Sequence, residues 1–200
     1  MAAIRFIEYD EVDSTNEAAK RLVRDNVAAS GSEHGAAIRE SGGAGQKGPT
    51  PSMSELYGTV IVAKRQTAGK GRRGKSFVSP GGGSIYMSLI LPPLENPAEQ
   101  HITILAGVAV CEAIEKSTAY KPGIKGINDI IVEGRKVCGI LAEGIPDAVI
   151  LGIGVNINLE EKDFPEELRE TAGALRLGKD ERDRFFDALV ETVFRYTASS

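Results

Sequence analysis

Residues 4–9 (IRFIEY) alternate apolar and polar side chains as a half-buried strand does. The following DSTNEAAKRLVRD changes to helical spacing, with Ser14 and Glu17 placed as a capping box. Ala18, Leu22 and Val23 form the inward stripe of that helix, while Lys20, Arg21 and Arg24 are expected to face water. Residues 59–66 (TVIVAKRQ) and 84–91 (SIYMSLIL) are short, β-branched apolar runs and read as buried strands. Asn96-Pro97 with Glu99 starts a long helix through HITILAGVAVCEAIEK, the main core helix. DIIVEGRKVCGILAE reads as a hairpin turning at Glu133-Gly134, and VILGIGVNIN as a further central strand. ERDRFFDALVETVFRYTA closes the chain as an amphipathic helix. Strands arriving in adjacent pairs predict an α/β fold of the α+β type, with a mixed, hairpin-rich sheet packed against helices.

The 200 residues, 42% hydrophobic, suffice for one sizeable core, so residues 1–200 are expected to form a single domain. Residues 30–57 carry too much Gly, Ser and Pro to bury apolar surface and predict a mobile insertion. No apolar run approaches the roughly 18 residues of a membrane span, and the acidic N-terminus does not resemble a signal peptide. A cytoplasmic location is therefore expected. Cys111 and Cys138 sit inside apolar runs and read as buried free thiols.

A net charge of -4 argues against general nucleic-acid binding, but the charge is unevenly spread. Between residues 64 and 75 stand six basic residues, three glycines and no acid. Gly69 to Ser76 (GKGRRGKS) satisfies both GxxxxGK[ST] and GxGxxG. Either motif requires a helix directly after the loop, to hold phosphates at its N-terminal amides, and FVSPGGG cannot supply one. What remains is the loop itself: glycine amides with Lys70, Arg72, Arg73 and Lys75, a cradle for phosphate or carboxylate.

Four segments in order, DSTN (13–16), RQTAGKGRRGKSFVSP (65–80), IKGINDIIVEGRKVCGIL (124–141) and LGIGVNIN (151–158), resemble the biotin protein ligase family. The resemblance spans residues 4–195 and implies a biotin/lipoate ligase-like catalytic domain. It implies a biotin pocket formed by Ser14, Thr15, Asn16, Gln66, Gly69, Lys70, Gly71 and Arg72, with Lys125 meeting the biotin carboxylate. A neutral ureido ring needs short donors and acceptors, which agrees with hydroxyls and a side-chain amide. Ser14 also reads as a helix cap. For ATP and its adenylate the resemblance points to Lys70, Arg72, Arg73, Gly74, Phe77, Asn128 and Lys136, and Asp129 is a candidate Mg²⁺ ligand.

The implied reaction is attack of the biotin carboxylate on the α-phosphorus of ATP, then transfer of the acyl group to a lysine of a biotin carboxyl carrier protein. Arg72 and Lys125 are the expected catalytic cations, and no acyl-enzyme constellation is required; His34 and His101 suggest none. Departures from the family pattern are Gly126 and Ile127 after the lysine, Lys70 where arginine is common, the 30–57 insertion, and the short Gly144-Ile145-Pro146-Asp147 link. The resemblance further leads us to expect neither an N-terminal DNA-binding domain nor a C-terminal β-barrel, no DNA or membrane partner, and leaves a homodimer open. Alternative readings are a lipoate or octanoate ligase or transferase on the same fold, and a non-catalytic biotin-binding protein.

Overall fold

The structure is a computed structural model that describes residues 4–31, 51–74, 76–78, 82–93 and 98–197. Its frame is one seven-stranded sheet in the order β1-β2-β3-β7-β6-β5-β4. β1 (Arg5–Val12) lies at one edge, parallel to β2 (Thr59–Gln66). A parallel pair needs a crossover, and α1 (Thr15–Gly31) and α2 (Met53–Leu56) lie within it. All other pairings are antiparallel, through β3 (Ser84–Leu91), β7 (Ala148–Asn156), β6 (Arg135–Ile145), β5 (Asp129–Val132) and β4 (Gly123–Lys125).

The two-residue period of a strand divides the core between the two faces. Val149, Leu151, Ile153 and Val155 of β7 pack under α3 (Ala98–Ser117) and α4 (Lys179–Thr197). Ala148 and Ile150 of the same strand pack with Ala18, Ala19 and Val23 of α1 on the other face. Burial on both faces is why β3 and β7 read as near-continuous apolar runs. Further along β7, the positions facing α1 become Gly152, Gly154 and Asn156. The apolar cover ends there, and a cavity opens.

β2 and β3 occupy the predicted residues, and the β5–β6 hairpin turns at Glu133 (φ 50) and Gly134 (φ 78), as the sequence predicts. Pro146 and Asp147 suffice to link β6 to β7, because the two strands are an antiparallel hairpin. Several expectations need correction. β1 runs on to Val12, and Phe6 is 43% exposed because the strand is a sheet edge. Lys20, expected in water, is buried. Glu17 pairs with Lys20 and Lys70 through Oε1, so the expected capping box with Ser14 is replaced by ion pairs. Within the expected insertion, α2 folds and its Leu56 is fully buried, a burial that contributes about 1.5–3 kcal/mol. The Asn26 amide holds α2 in place by donating to Pro51 O at 2.5 Å. Residues 32–50, with His34, and the expected helix start at Asn96-Pro97 lie outside the described residues. His101 is exposed on α3, Cys138 is buried and Cys111 only half-buried; both thiols are free.

Candidate active site

A cavity of about 600 Å³ lies where β7 loses its apolar cover. Its shape depends on glycines. A Cβ on Gly152 would lie 2.2 Å from Asn16 Oδ1, and one on Gly154 2.6 Å from the Phe77 ring. A Cβ on Gly139 of β6 would meet the same ring at 2.9 Å. Asn16 and Phe77 therefore sit in space that only glycine leaves open. Phe77 is brought back over the sheet because the basic loop closes on itself, with Phe77 N donating to Gly69 O at 2.9 Å and Lys70 bridging Ser76. Its ring meets Tyr86 edge-on, with centroids 6.4 Å apart. No helix follows the loop among the described residues 76–78, in agreement with the rejection of both phosphate-loop motifs.

One end of the cavity is the start of α1, and its polar groups are uncharged. Thr15 donates from N and Oγ1 to Gln66 Oε1 at 2.8 and 3.2 Å. The buried Ser88 Oγ of β3 lies 2.8 Å from Thr15 Oγ1 and 2.6 Å from Asn16 Oδ1. Asn16 Nδ2 donates to Glu143 Oε2 at 2.7 Å and to Leu141 O at 3.4 Å, so its amide is engaged by β3 and β6. Glu143 is in turn held by Lys20, 2.7 Å from Oε1. Burial opposes the charge on Lys20, but the hydrogen bonds it donates to Glu143 and Glu17 outweigh it and raise its pKa above the ordinary lysine value. Glu17, bonded by Lys70 and Lys20, has its carboxyl held below the usual range.

The other end is cationic. The guanidinium of Arg72, on a short 3₁₀ turn (Arg72–Gly74), donates to Asn128 Oδ1 at 3.2 Å. Asn128 Nδ2 donates to Asp129 Oδ1, which also takes Lys136 Nζ at 2.7 Å. Lys125 ends the short edge strand β4, exposed, and makes no ion pair among the described residues. Lys70 and Lys136 are thus each matched by a carboxylate, whereas Arg72 meets a neutral amide and Lys125 no acid. Among the described residues no three His, Cys, Asp or Glu side chains gather to hold a metal. Asp129, the candidate Mg²⁺ ligand, accepts from Asn128 Nδ2 and pairs with Lys136 Nζ.

The cavity brings together twelve of the residues singled out in the sequence: Ser14, just before α1, with Thr15 and Asn16 of α1; Gln66, Lys70, Gly71, Arg72 and Phe77 on or beside the loop; and Lys125, Asn128, Asp129 and Lys136 from β4–β6. Gly69 and Gly74 do not line it; Gly69 closes the loop and Gly74 supplies a φ of 74. The Arg73 side chain and Lys75 lie outside the described residues. Sequence reasoning missed Tyr86, Lys20, Ser88 and Glu143. It also missed a wall formed by Phe164, Leu168 and Thr171, carried past β6 by the Lys136–Ala172 bridge. Ser88 could have been noticed as a hydroxyl within an otherwise apolar strand; the wall has no motif.

Residues 51–159 match the model of the biotin/lipoate A/B protein ligase family. The bifunctional ligase/repressor BirA of Bacillus subtilis is 42% identical over 125 residues, 59% of this chain and 38% of the relative. A Mycobacterium tuberculosis enzyme named as the biotin ligase of acetyl-CoA carboxylase is 32% identical over 129 residues, 62% of this chain and 47% of the relative. The chain thus spans less than half the length of these relatives. The structure of an Aquifex aeolicus biotin protein ligase in complex with biotin and ATP is similar at a TM-score of 0.68 and 28% identity, covering 98% of this chain and 73% of that one. The family match alone takes in more than half of the residues, and this chain belongs to the biotin/lipoate A/B protein ligase family.

Proposed function

We propose that the chain is an ATP-dependent biotin ligase, forming biotinyl-5'-AMP and passing the biotin to a lysine of a carboxylase's biotin carboxyl carrier protein. One observation carries this reading: a neutral hydrogen-bonding turn and two cations without carboxylate partners among the described residues, Arg72 and Lys125, share one cavity. The Aquifex protein, named as binding both biotin and ATP, supports the choice of acid and nucleotide. The Mycobacterium relative supports a carboxylase as the destination.

The first step brings a carboxylate against a phosphate. At 4 Å and an effective dielectric of 20, two unit charges repel by about 4 kcal/mol, so fixed cations must stand on both partners. Lys125 meets the carboxylate, and Arg72, steadied by Asn128, spans the α-phosphate. Ser14, Thr15 and Gln66 take the ureido ring, and Lys70 and Gly71 lie beside it. Phe77 offers an aromatic face to the adenylate, and Lys136 meets phosphate from the β6 side. Oxygen donors fit Mg²⁺ only if most come from nucleotide phosphates and water, as is usual for that ion, with Asp129 the nearest carboxylate to Lys136. Bound Mg²⁺ would shield the pyrophosphate as it leaves. The carrier amine then attacks the activated carbonyl, expelling AMP. The chain's own residues align and neutralise; none is acylated.

The work is done by residues 1–200 as one domain, acting in the cytoplasm; among the described residues no helix is long and apolar enough to cross a membrane. The test is ATP-dependent transfer of biotin to a carrier domain, read by mass. The intact chain is expected to add one biotin, and Lys125→Ala and Arg72→Ala to lose most of the rate. Absence of transfer by the intact chain, or full activity of both variants, overturns the reading.

A further inference from the structure

We infer that Glu17 is an internal competitor for Lys70: an anionic oxygen of a substrate, phosphate or carboxylate, takes the Lys70 ammonium from Glu17, and Lys20 keeps Glu17 paired when it goes. Glu17 thereby sets how tightly that substrate binds, as a positioning residue that acts through Lys70. The inference rests on the biotin-ligase reading for its substrates and adds to it an affinity-setting acid outside the cavity.

The pair stands at the lip of the cavity, which Lys70 lines and Glu17 does not. Lys70 Nζ lies 2.7 Å from Glu17 Oε1, and the same oxygen takes Lys20 Nζ at 3.0 Å. Lys20 is in turn 2.7 Å from Glu143 Oε1, so the four groups alternate in charge. The Lys70 side chain is 49% exposed against 10% for Lys20. A half-exposed ion pair is weak, whereas Lys20 is held under cover between two carboxylates. Of the two ammonium groups, Lys70 is therefore the one that leaves.

Its departure strands no carboxylate, because Glu17 keeps Lys20. Lys136 is placed differently: Asp129 Oδ1 takes its ammonium at 2.7 Å and, beside it, only the neutral Asn128 amide at 3.0 Å. Taking Lys136 away would leave Asp129 without a cation among the described residues, so the hand-over belongs to Lys70 alone of the two. The Lys70 backbone need not move. Its bridge to Ser76 and the bond from Phe77 N to Gly69 O close the loop independently of the side chain. Only a flexible four-carbon stem has to turn, and an ammonium is a point charge that changes one oxygen for another without a matched geometry. A guanidinium at this position would grip the carboxylate with two bonds and release it less readily.

The experiment is calorimetric titration of the intact chain with biotin alone and, in saturating biotin, with α,β-methylene ATP, which cannot release pyrophosphate. Wild type, Glu17→Gln, Lys70→Met and the double variant are compared. Glu17→Gln is expected to lower the Kd of one of the two ligands about threefold to fivefold, the scale of a half-exposed ion pair, and the ligand that responds is the source of the anion. In the Lys70→Met background the same change should leave that Kd within about 1.5-fold. Loss of a negative charge by itself would tighten anion binding in either background, so the comparison separates competition for Lys70 from the field of Glu17. If Glu17→Gln does not fold, Glu17→Ala takes its place with the same two expectations. A Kd that is unchanged or raised for both ligands in Glu17→Gln, or an equal fall with and without Lys70, overturns the inference and leaves the ligase reading intact. A wild-type chain that binds both ligands but catalyses no biotin-dependent exchange of pyrophosphate into ATP overturns the ligase reading alone. Binding of neither ligand by wild type overturns both.

Discussion

Gly152→Ala is the smallest change that should disturb the site without touching a functional group. Gly152 has no positive φ, so alanine brings no backbone strain there, and the effect is steric. The added carbon would lie 2.2 Å from Asn16 Oδ1, 2.9 Å from Cγ and 3.1 Å from Nδ2. Asn16 cannot yield by a few tenths of an ångström, because Glu143 and Ser88 hold its amide from both sides. Its side chain must leave, forfeiting a charge-assisted bond of about 1.5–3 kcal/mol and a neutral one of about 1 kcal/mol. A loss near 3 kcal/mol is therefore expected in equilibrium urea unfolding at pH 7. Gly123→Ala is the control: a Cβ there meets nothing within 4 Å, and the change should stay within about 0.5 kcal/mol of wild type. An Asn16→Ala background removes the clash, so Gly152→Ala should cost less than about 1 kcal/mol in it. A cost below about 1 kcal/mol in the wild-type background, or the same cost in both, would refute the reasoning.

Three further outcomes are expected. Arg72→Lys keeps the charge but loses the planar fork that reaches Asn128, and should raise the KM for ATP about tenfold in pyrophosphate exchange. Glu112 of α3 is hydrogen-bonded by Arg195, Lys116 and Tyr196, which together hold its carboxyl at about 2. Its contribution is complete above the ordinary carboxylate pKa and is lost as pH falls towards 2, so thermal melts of Glu112→Gln should lie below wild type at pH 7 and converge with it in acid. Burial raises the Cys111 thiol to about 11 and the Cys138 thiol further, so iodoacetamide at pH 8 should leave the folded chain unlabelled and modify both residues in urea, counted by intact mass.

Much of this architecture was legible because it depends on short-range pattern. The runs TVIVAKRQ and SIYMSLIL, bounded by glycine and polar residues, became strands of the expected extent. Glu133-Gly134 turned as such a pair should. The three-residue strand β4 was missed because YKPGIKG reads as a turn, and only pairing with β5 makes Gly123–Lys125 extended. Lys20 was misassigned for a different reason. Helical periodicity gives the angle of a side chain around its own axis, and Lys20 falls outside the apolar stripe. Its environment is set by Glu143, a strand carboxylate 123 residues away, and no local window contains that information. Gly152 and Gly154 were visible as an alternation within LGIGVNIN, but the Asn16 amide and the Phe77 ring that fill their places come from other segments.

The site is easier to understand by its charge compensation than by its cations alone. The chain carries a net charge of -4, so at long range it does not attract anions. Screening removes most of that repulsion beyond roughly 8 Å at physiological salt, and what a bound anion experiences is local. Of the cavity cations, Lys70 is matched by Glu17 and Lys136 by Asp129, at 2.7 Å each. Each match lowers the attraction a bound anion would feel and fixes the cation's position. Arg72 is positioned instead by the neutral amide of Asn128, which orients the guanidinium without compensating its charge. Lys125 is exposed on a sheet edge, its backbone paired with Asp129 across β4 and β5. Among the described residues two cavity cations, Arg72 and Lys125, thus keep their charge uncompensated by a carboxylate, and two is the number of anionic groups that the proposed adenylate formation must bring together.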